Sequence, residues 1–260
     1  DQTMTKSKIQ SGLAAMKLDT VELAGLAPER LDHMNEAAMR VLECYRVLQK
    51  SDANIVGEVI KGPVDFYEWD HYPDGDVYDW DSHSQHYYHA HPPEKRANKW
   101  GVEHGHFHTF LRPKGMPGSV KPAALADYEA PEGANDALTH FVGISMNWAG
   151  FPIRLFSTNR WVTGEIWYTA DDVISMIDRF EIDVALPSWP VNIWITAMVQ
   201  LFRPQIEALL HRRDKVVADW EAAHPGLNAY EDRNLEITSI IDISVEDQIK
   251  KISKALRATA

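Results

Sequence analysis

One cysteine, Cys44, stands in the whole chain, so no intrachain disulfide can form and no Cys-x-x-Cys-His haem attachment exists. Cys44 falls in an apolar-periodic stretch and reads as a small buried hydrophobe. The shortage fits a reducing compartment. Long apolar runs are missing as well. The most apolar stretch, Trp189 to Phe202, is interrupted by Asn192, Thr196 and Gln200. It falls short of the roughly 18 uninterrupted apolar residues that a membrane span needs. The opening DQTMTKSKIQ has no apolar signal-peptide core. Basic residues are in deficit, with 26 Lys and Arg against 38 Asp and Glu and a net charge of -12. An acidic surface repels phosphate backbones, so nucleic acid is not the expected partner. No Gly-rich phosphate loop follows a strand, and there is no Gly-x-Ser-x-Gly elbow or His-Glu-x-x-His helix. These absences leave a soluble cytoplasmic protein with no membrane partner. Its 260 residues read as a single domain, with residues 1–24 poorly ordered.

What the chain has in excess is histidine in one place. The segment Gln85 to Leu111, QHYYHAHPPEKRANKWGVEHGHFHTFL, holds six of the twelve histidines. His89 and His91 are two apart, and His104, His106 and His108 continue the same spacing. Alternate residues of a strand share a face. Two His-x-His strands joined by a loop containing Pro92, Pro93 and Gly101 therefore place imidazoles from both strands on one surface. Imidazole is the commonest transition-metal ligand, and a catalytic site typically takes three protein ligands and keeps one position open. Three same-face histidines on one strand span about 13 Å at ~3.3 Å per residue. His104, His106 and His108 are thus expected to divide their roles. The competing reading is a set of exposed or packed rings in an aromatic-rich sheet. It is the weaker one, because every buried imidazole needs a hydrogen-bond partner.

The remainder supports this sheet. Pro28 to Gln49 carries apolar residues at helical spacing, Leu31, Met34, Ala38, Leu42, Tyr45 and Leu48, behind a proline suited to a first helical position. Asn54 to Ile60 has strand-like character. Val64 to Ser84 is dense in Asp and aromatic residues around the turn signal Pro73-Asp74-Gly75. It suits either a surface hairpin or a substrate-facing loop to which His71, Asp76 or Asp79 contributes. His140–Asn147 and Phe151–Thr158 read as a hairpin, and Asn159–Tyr168 as an extension of the sheet or a crossing of the site. Thr169 and Ser244 are helix caps. The region 173–222 reads as helical with a break at Pro204, which lacks the amide donor. Leu235–Ile243 is a last strand. The expected class is α+β, a central antiparallel sheet carrying the histidine site with N- and C-terminal helices packed around it.

Three further residues are candidates for the chemistry. Glu103, just before the second histidine strand, offers a carboxylate for a two-histidine, one-carboxylate iron set. Arg160 offers a clamp for an anionic substrate group, with Glu165 beside it in NRWVTGE; an ordinary ion pair serves these two equally well. The metal ligands are expected among His89, His91, His104, His106 and His108. The expected activity is that of an iron(II) oxygenase or oxidase on a small polar or anionic molecule. Zinc-dependent hydrolysis or lyase chemistry is the alternative, as is a non-catalytic metal or haem b binder. A homo-oligomer is compatible with everything above.

The motifs YYHAHP, EHGHFHTFLR, TNRWVTGE, PSWPVNIWITAM and FRPQIEALL together resemble an uncharacterised bacterial family, a domain of unknown function. The resemblance runs from about His71 to Ser239 and implies no activity, substrate or catalytic residue. The His-x-His strand is also similar to part of a cupin metal motif. The downstream glutamate and distant histidine of that motif are not in place, so a cupin barrel is not expected.

Overall fold

A computed structural model describes residues 15–61, 66–90 and 102–260. Six strands form one antiparallel sheet in which every strand pairs with its sequence neighbours: β1 (Tyr72–Tyr78), β2 (Ser84–His89), β3 (Glu103–Leu111), β4 (Thr139–Asn147), β5 (Pro152–Thr158) and β6 (Ile237–Asp242). Helices α1 (Pro28–Gln49) and α2 (Ile55–Ile60) precede the sheet. Between β5 and β6 lie α3 (Arg160–Thr163), α4 (Ala170–Met176), α5 (Trp189–Leu201) and α6 (Arg203–Ala223), and α7 (Val245–Thr259) closes the chain. This is the α+β arrangement that the strand and helix patterns predict. No helix among the described residues is long and apolar enough to cross a membrane.

The sheet has two unlike faces, and register decides which residues go where. One row of cross-strand partners runs Tyr88, Phe107, Ile144, Leu155, Ile241. All five are buried in one core with Trp194 and Ile195 of α5 and Leu31 and Met34 of α1. Each such side chain contributes about 1.5–3 kcal/mol on burial. The adjacent row is His89, His106, Ser145, Arg154, Asp242, and it lies on the opposite face. Strand alternation thus turns the apolar row to the helices and the histidine row away from them.

Local chemistry explains the helices. Thr169 Oγ1 accepts from the Asp172 amide and Ser244 Oγ from the Asp247 amide, so both predicted caps are in place. Pro204 occupies the first turn of α6, where its missing N–H was unneeded, and the chain breaks at Phe202. In α1, Val41 and Cys44 are buried, whereas Leu42, expected on the apolar face, is 41% exposed. Burial pushes the Cys44 thiol up to about 11, which makes it an inert packing group.

Two expectations need correction. Asn54–Ile60 is not a strand: the Asn54 side chain accepts from the Gly57 amide at 2.9 Å, and this cap starts α2 with Ile55, Val56 and Val59 turned inward. The stretch 159–168 neither extends the sheet nor crosses the site. Asn159 caps the single turn of α3, and Gly164 ends it in the left-handed region at φ 66°. Of the stretch 1–24, residues 1–14 lie outside the described residues; beyond them the Leu18 amide donates to the Ile240 carbonyl at 2.8 Å, and Leu23 is buried.

The sheet is tied to α5 through a buried pair. His86 Nε2 meets Asn192 Oδ1 at 2.9 Å, and the Asn192 amide donates to the carbonyls of Val184 and Leu186. The amide oxygen accepts, so Nε2 carries the proton. Burial holds the His86 imidazole down at about 4. A base depressed in the folded state contributes stability above its unfolded value near 6.5, and loses it as pH falls toward 4. Stability measured by denaturant at pH 7, 6, 5 and 4 should therefore decline, and His86→Gln should reduce proton uptake on unfolding by about one proton. An unchanged slope in that variant would contradict a neutral buried His86.

Candidate metal centre

His89 and His106 are direct cross-strand partners, as are Tyr87 and His108. Since His106 and His108 are two apart, the three imidazoles share one face. Their ligand nitrogens all lie within 4.8 Å of one another. The ring centroids are 4.3 Å apart for His89 and His106, 4.8 Å for His106 and His108, and 5.6 Å for His89 and His108. Tetrahedral coordination with bonds of 2.0–2.1 Å sets nitrogen–nitrogen spacings of about 3.4 Å. His106 and His108 are buried and His89 is half-buried.

Two of the rings are held from behind. Glu103 Oε1 lies 2.8 Å from His106 Nδ1, with both groups buried. His140 Nε2 lies 2.9 Å from His108 Nδ1. Each contact engages Nδ1 and leaves Nε2 as the nitrogen that could take a metal, the arrangement by which metal-binding histidines are oriented. Burial holds His108 well below the usual imidazole range, reinforced by the neighbouring histidines. Burial, then the Arg213 charge, brings His140 down to about 3. Both are therefore neutral, the state in which imidazole binds a metal.

The walls are aromatic. The Phe156 ring is 5.3 Å from His106 and 5.9 Å from His108, and Tyr87 is 5.2 Å from His108. Phe156 can lie there because Gly143, its cross-strand partner, has no side chain; a Cβ at that position would overlap the ring. At the outer edge His71 stacks on Tyr87 with centroids 3.7 Å apart and planes 6° off parallel, and sits 6.0 Å from His89. His71 also lines a cavity of about 640 Å³ with Tyr67, Asp70, Tyr72 and Asp76.

The other candidates are placed differently. His104 is on the opposite face, with Nδ1 2.6 Å from the Tyr88 hydroxyl and its ring 4.6 Å from Trp148. The cause is a bulge: Glu103 pairs with Asn147 and Gly105 with Met146, so β3 carries one extra residue at His104. The bulge turns Glu103 onto the histidine face, where it meets a ligand's Nδ1 and is not itself in the cluster. His91 lies outside the described residues. Arg160 is no free clamp, because its guanidinium is bidentate to Asp127 and also bonds Glu231. That clamp holds the Asp127 carboxyl down at about 2. Glu165 is buried, bonds Thr163 Oγ1 at 2.5 Å, and lies 4.0 Å from Arg213. Burial pushes its carboxyl up to about 7 against the pull of Arg213. It also takes a main-chain hydrogen bond from His140, which puts it behind the site and outside the cluster. Asp79 is a turn residue, accepting from the amides of Asp81, Ser82 and Asp183.

A family model described as a domain of unknown function, DUF6969, matches residues 35–243. The chain belongs to the DUF6969 family. The DUF6969 segment begins within α1 and ends just past β6, so it takes in the whole sheet, the three histidines and both groups behind them. Comparison with curated proteins and with solved structures finds no match.

Proposed function

We propose that this protein is a metal-dependent enzyme acting on a small polar molecule, with His89, His106 and His108 as ligands of one divalent transition metal. The convergence of three ligand nitrogens within 4.8 Å carries this reading. Glu103 and His140, buried behind two of the rings, add to it. Three protein ligands leave a coordination position for water or substrate. A metal held there lowers the pKa of a bound water and polarises a carbonyl or phosphoryl oxygen. His106 and His108 would bind the metal through Nε2, Phe156 and Tyr87 flank them, and His71 lies at the outer edge against Tyr87.

The donor set favours zinc-dependent hydrolytic or lyase chemistry. Glu103 is engaged at His106 Nδ1, so it does not complete a two-histidine, one-carboxylate iron set. An iron(II) oxygenase or oxidase is the second reading, favoured by the aromatic walls that restrict water. Haem fits poorly, because three rings with centroids 4.3–5.6 Å apart leave no slot between them for a macrocycle. A cytoplasmic enzyme free of nucleic acid agrees with the acidic balance of the chain.

Elemental analysis and an absorption spectrum of tag-free protein test the reading. Zinc at about one equivalent is expected, with no Soret band. Glu103→Ala should weaken metal binding by about 10–100-fold, and Glu103→Gln, which keeps an acceptor for Nδ1–H, by less. Metal-free protein that takes up neither zinc nor iron would end the proposal.

A further inference from the structure

The β1 edge of the site holds a group that the metal reading leaves unused. His71 precedes β1, and its ring lies flat against Tyr87, itself the cross-strand partner of His108. Its side chain is 49% exposed, it lines a cavity of about 640 Å³, and its ring lies 6.0 Å from that of His89. A surface histidine is ordinarily mobile, but this one is fixed through a chain of contacts. His71 Nδ1 meets Asp76 Oδ1 at 3.1 Å. Asp76 Oδ2 accepts from Gln85 Nε2 at 2.7 Å, and Gln85 Oε1 accepts from Arg112 Nε at 2.9 Å. Arg112 is anchored in turn on the carbonyls of Asn135 and Asp136. Both carboxylate oxygens of Asp76 are therefore assigned, and the Gln85 amide has one orientation.

The backbone also favours this placement over ease of folding. Asp76 sits at φ 61°, in the left-handed region that side-chain-bearing residues visit rarely. Such conformations persist where the surroundings dictate them, and they concentrate at functional sites. Here the consequence is specific: the conformation belongs to the residue whose carboxylate aims His71.

We propose that His71 is a catalytic residue of the three-histidine centre, accepting through Nε2 a hydrogen bond from a donor group held at the open metal position. The direction follows from hydrogen-bond chemistry. An ionised carboxylate only accepts, so the His71 nitrogen facing Asp76 carries a proton. In the Nδ1–H tautomer the other nitrogen, Nε2, is a lone-pair acceptor. It complements a hydroxyl, an N–H or a water, and not a carboxylate or phosphate oxygen. The substrate class is accordingly a small polar molecule with a hydrogen-bond donor next to its metal-binding oxygen, entering past Tyr67 and Tyr72. This inference rests on the metal reading above. It also replaces the anionic substrate expected from Arg160, whose charge is taken up by Asp127 and Glu231.

Cobalt(II)-loaded protein and acetohydroxamic acid provide the test. The probe binds metal through oxygen and carries N–H and O–H donors, and cobalt reports its binding in the visible spectrum. His71→Ala is expected to retain cobalt at the wild-type level and to weaken probe binding by about tenfold, the effect of one lost hydrogen bond. Asp76→Ala should weaken it by a similar factor, and Asp76→Asn by less, since the amide oxygen still accepts from Nδ1–H. Acetate, which offers no donor at neutral pH, should bind His71→Ala and wild type alike. Equal probe affinity in wild type and His71→Ala, with cobalt bound in both, overturns this inference alone. Failure of the wild type to bind cobalt overturns the metal centre and this inference with it.

Discussion

The double replacement His106→Ala with His108→Ala is expected to empty the centre of metal and leave the sheet standing. It removes two of the three converging ligands and leaves His89, whose lone imidazole cannot hold a divalent ion against buffer. Metal measured by elemental analysis should fall from about one equivalent to below about a tenth. Some stability goes too, because the change exposes His140 Nε2, the partner of His108, as a buried unsatisfied group. Such a group costs about 1–3 kcal/mol. The main core lies on the other face and keeps its contacts, so the helical circular dichroism should hold. His33→Ala, exposed on α1, and His224→Ala, at the end of α6 against Trp220, should bind metal as the wild type does. Full occupancy in the double variant would remove the basis of the proposed function.

The second large effect is expected from one methyl group. Gly105 lies where β3 passes closest to the end of β2, and a Cβ there would stand 2.6 Å from the His89 carbonyl oxygen and 2.5 Å from the Tyr88 hydroxyl. The carbonyl is backbone and cannot swing away. Gly105→Ala must therefore push β2 from β3 at the His89–His106 pair. Overpacking of this kind costs about 1–3 kcal/mol, and the upper end is expected because strand pairing moves with it. The denaturation midpoint should fall and metal affinity should fall with it. Normal stability with weakened metal binding would locate the strain in the site alone. Wild-type values for both would show that the strands do not approach so closely.

Much of this site is legible from strand parity. Alternation alone puts His106 and His108 on one face, and a hairpin puts His89 beside them. Parity fails at one residue: His104 continues the spacing in EHGH yet sits on the helix face, because the bulge inserts an extra residue before Gly105. The glycine was the available signal, since an isolated glycine in a strand often marks a bulge or a close backbone approach. His140 was harder to find. Its approach to His108 depends on a second register shift between β3 and β4, at His108 and Phe110, which no local pattern encodes. In α2, Ile55, Val56, Val59 and Ile60 are β-branched and favour a strand, and a single capping side chain outweighs that preference. Arg160 was recognised as a clamp, but its partners come from residues 127 and 231, and long sequence separation hid them.

The meander order of the strands has a consequence for how metal and folding relate. The three histidines proposed as ligands fall between residues 89 and 108, on a single hairpin, and among the described residues no helical side chain joins their cluster. Bridging two strands that are already neighbours closes only a short loop, and short loops cost little chain entropy to close. An ion bound there would therefore work as a local rivet: it would not recruit distant parts of the chain, as the metal of a small zinc-dependent module does. Metal-free protein should thus stay folded, with its denaturation midpoint close to that of metal-loaded protein.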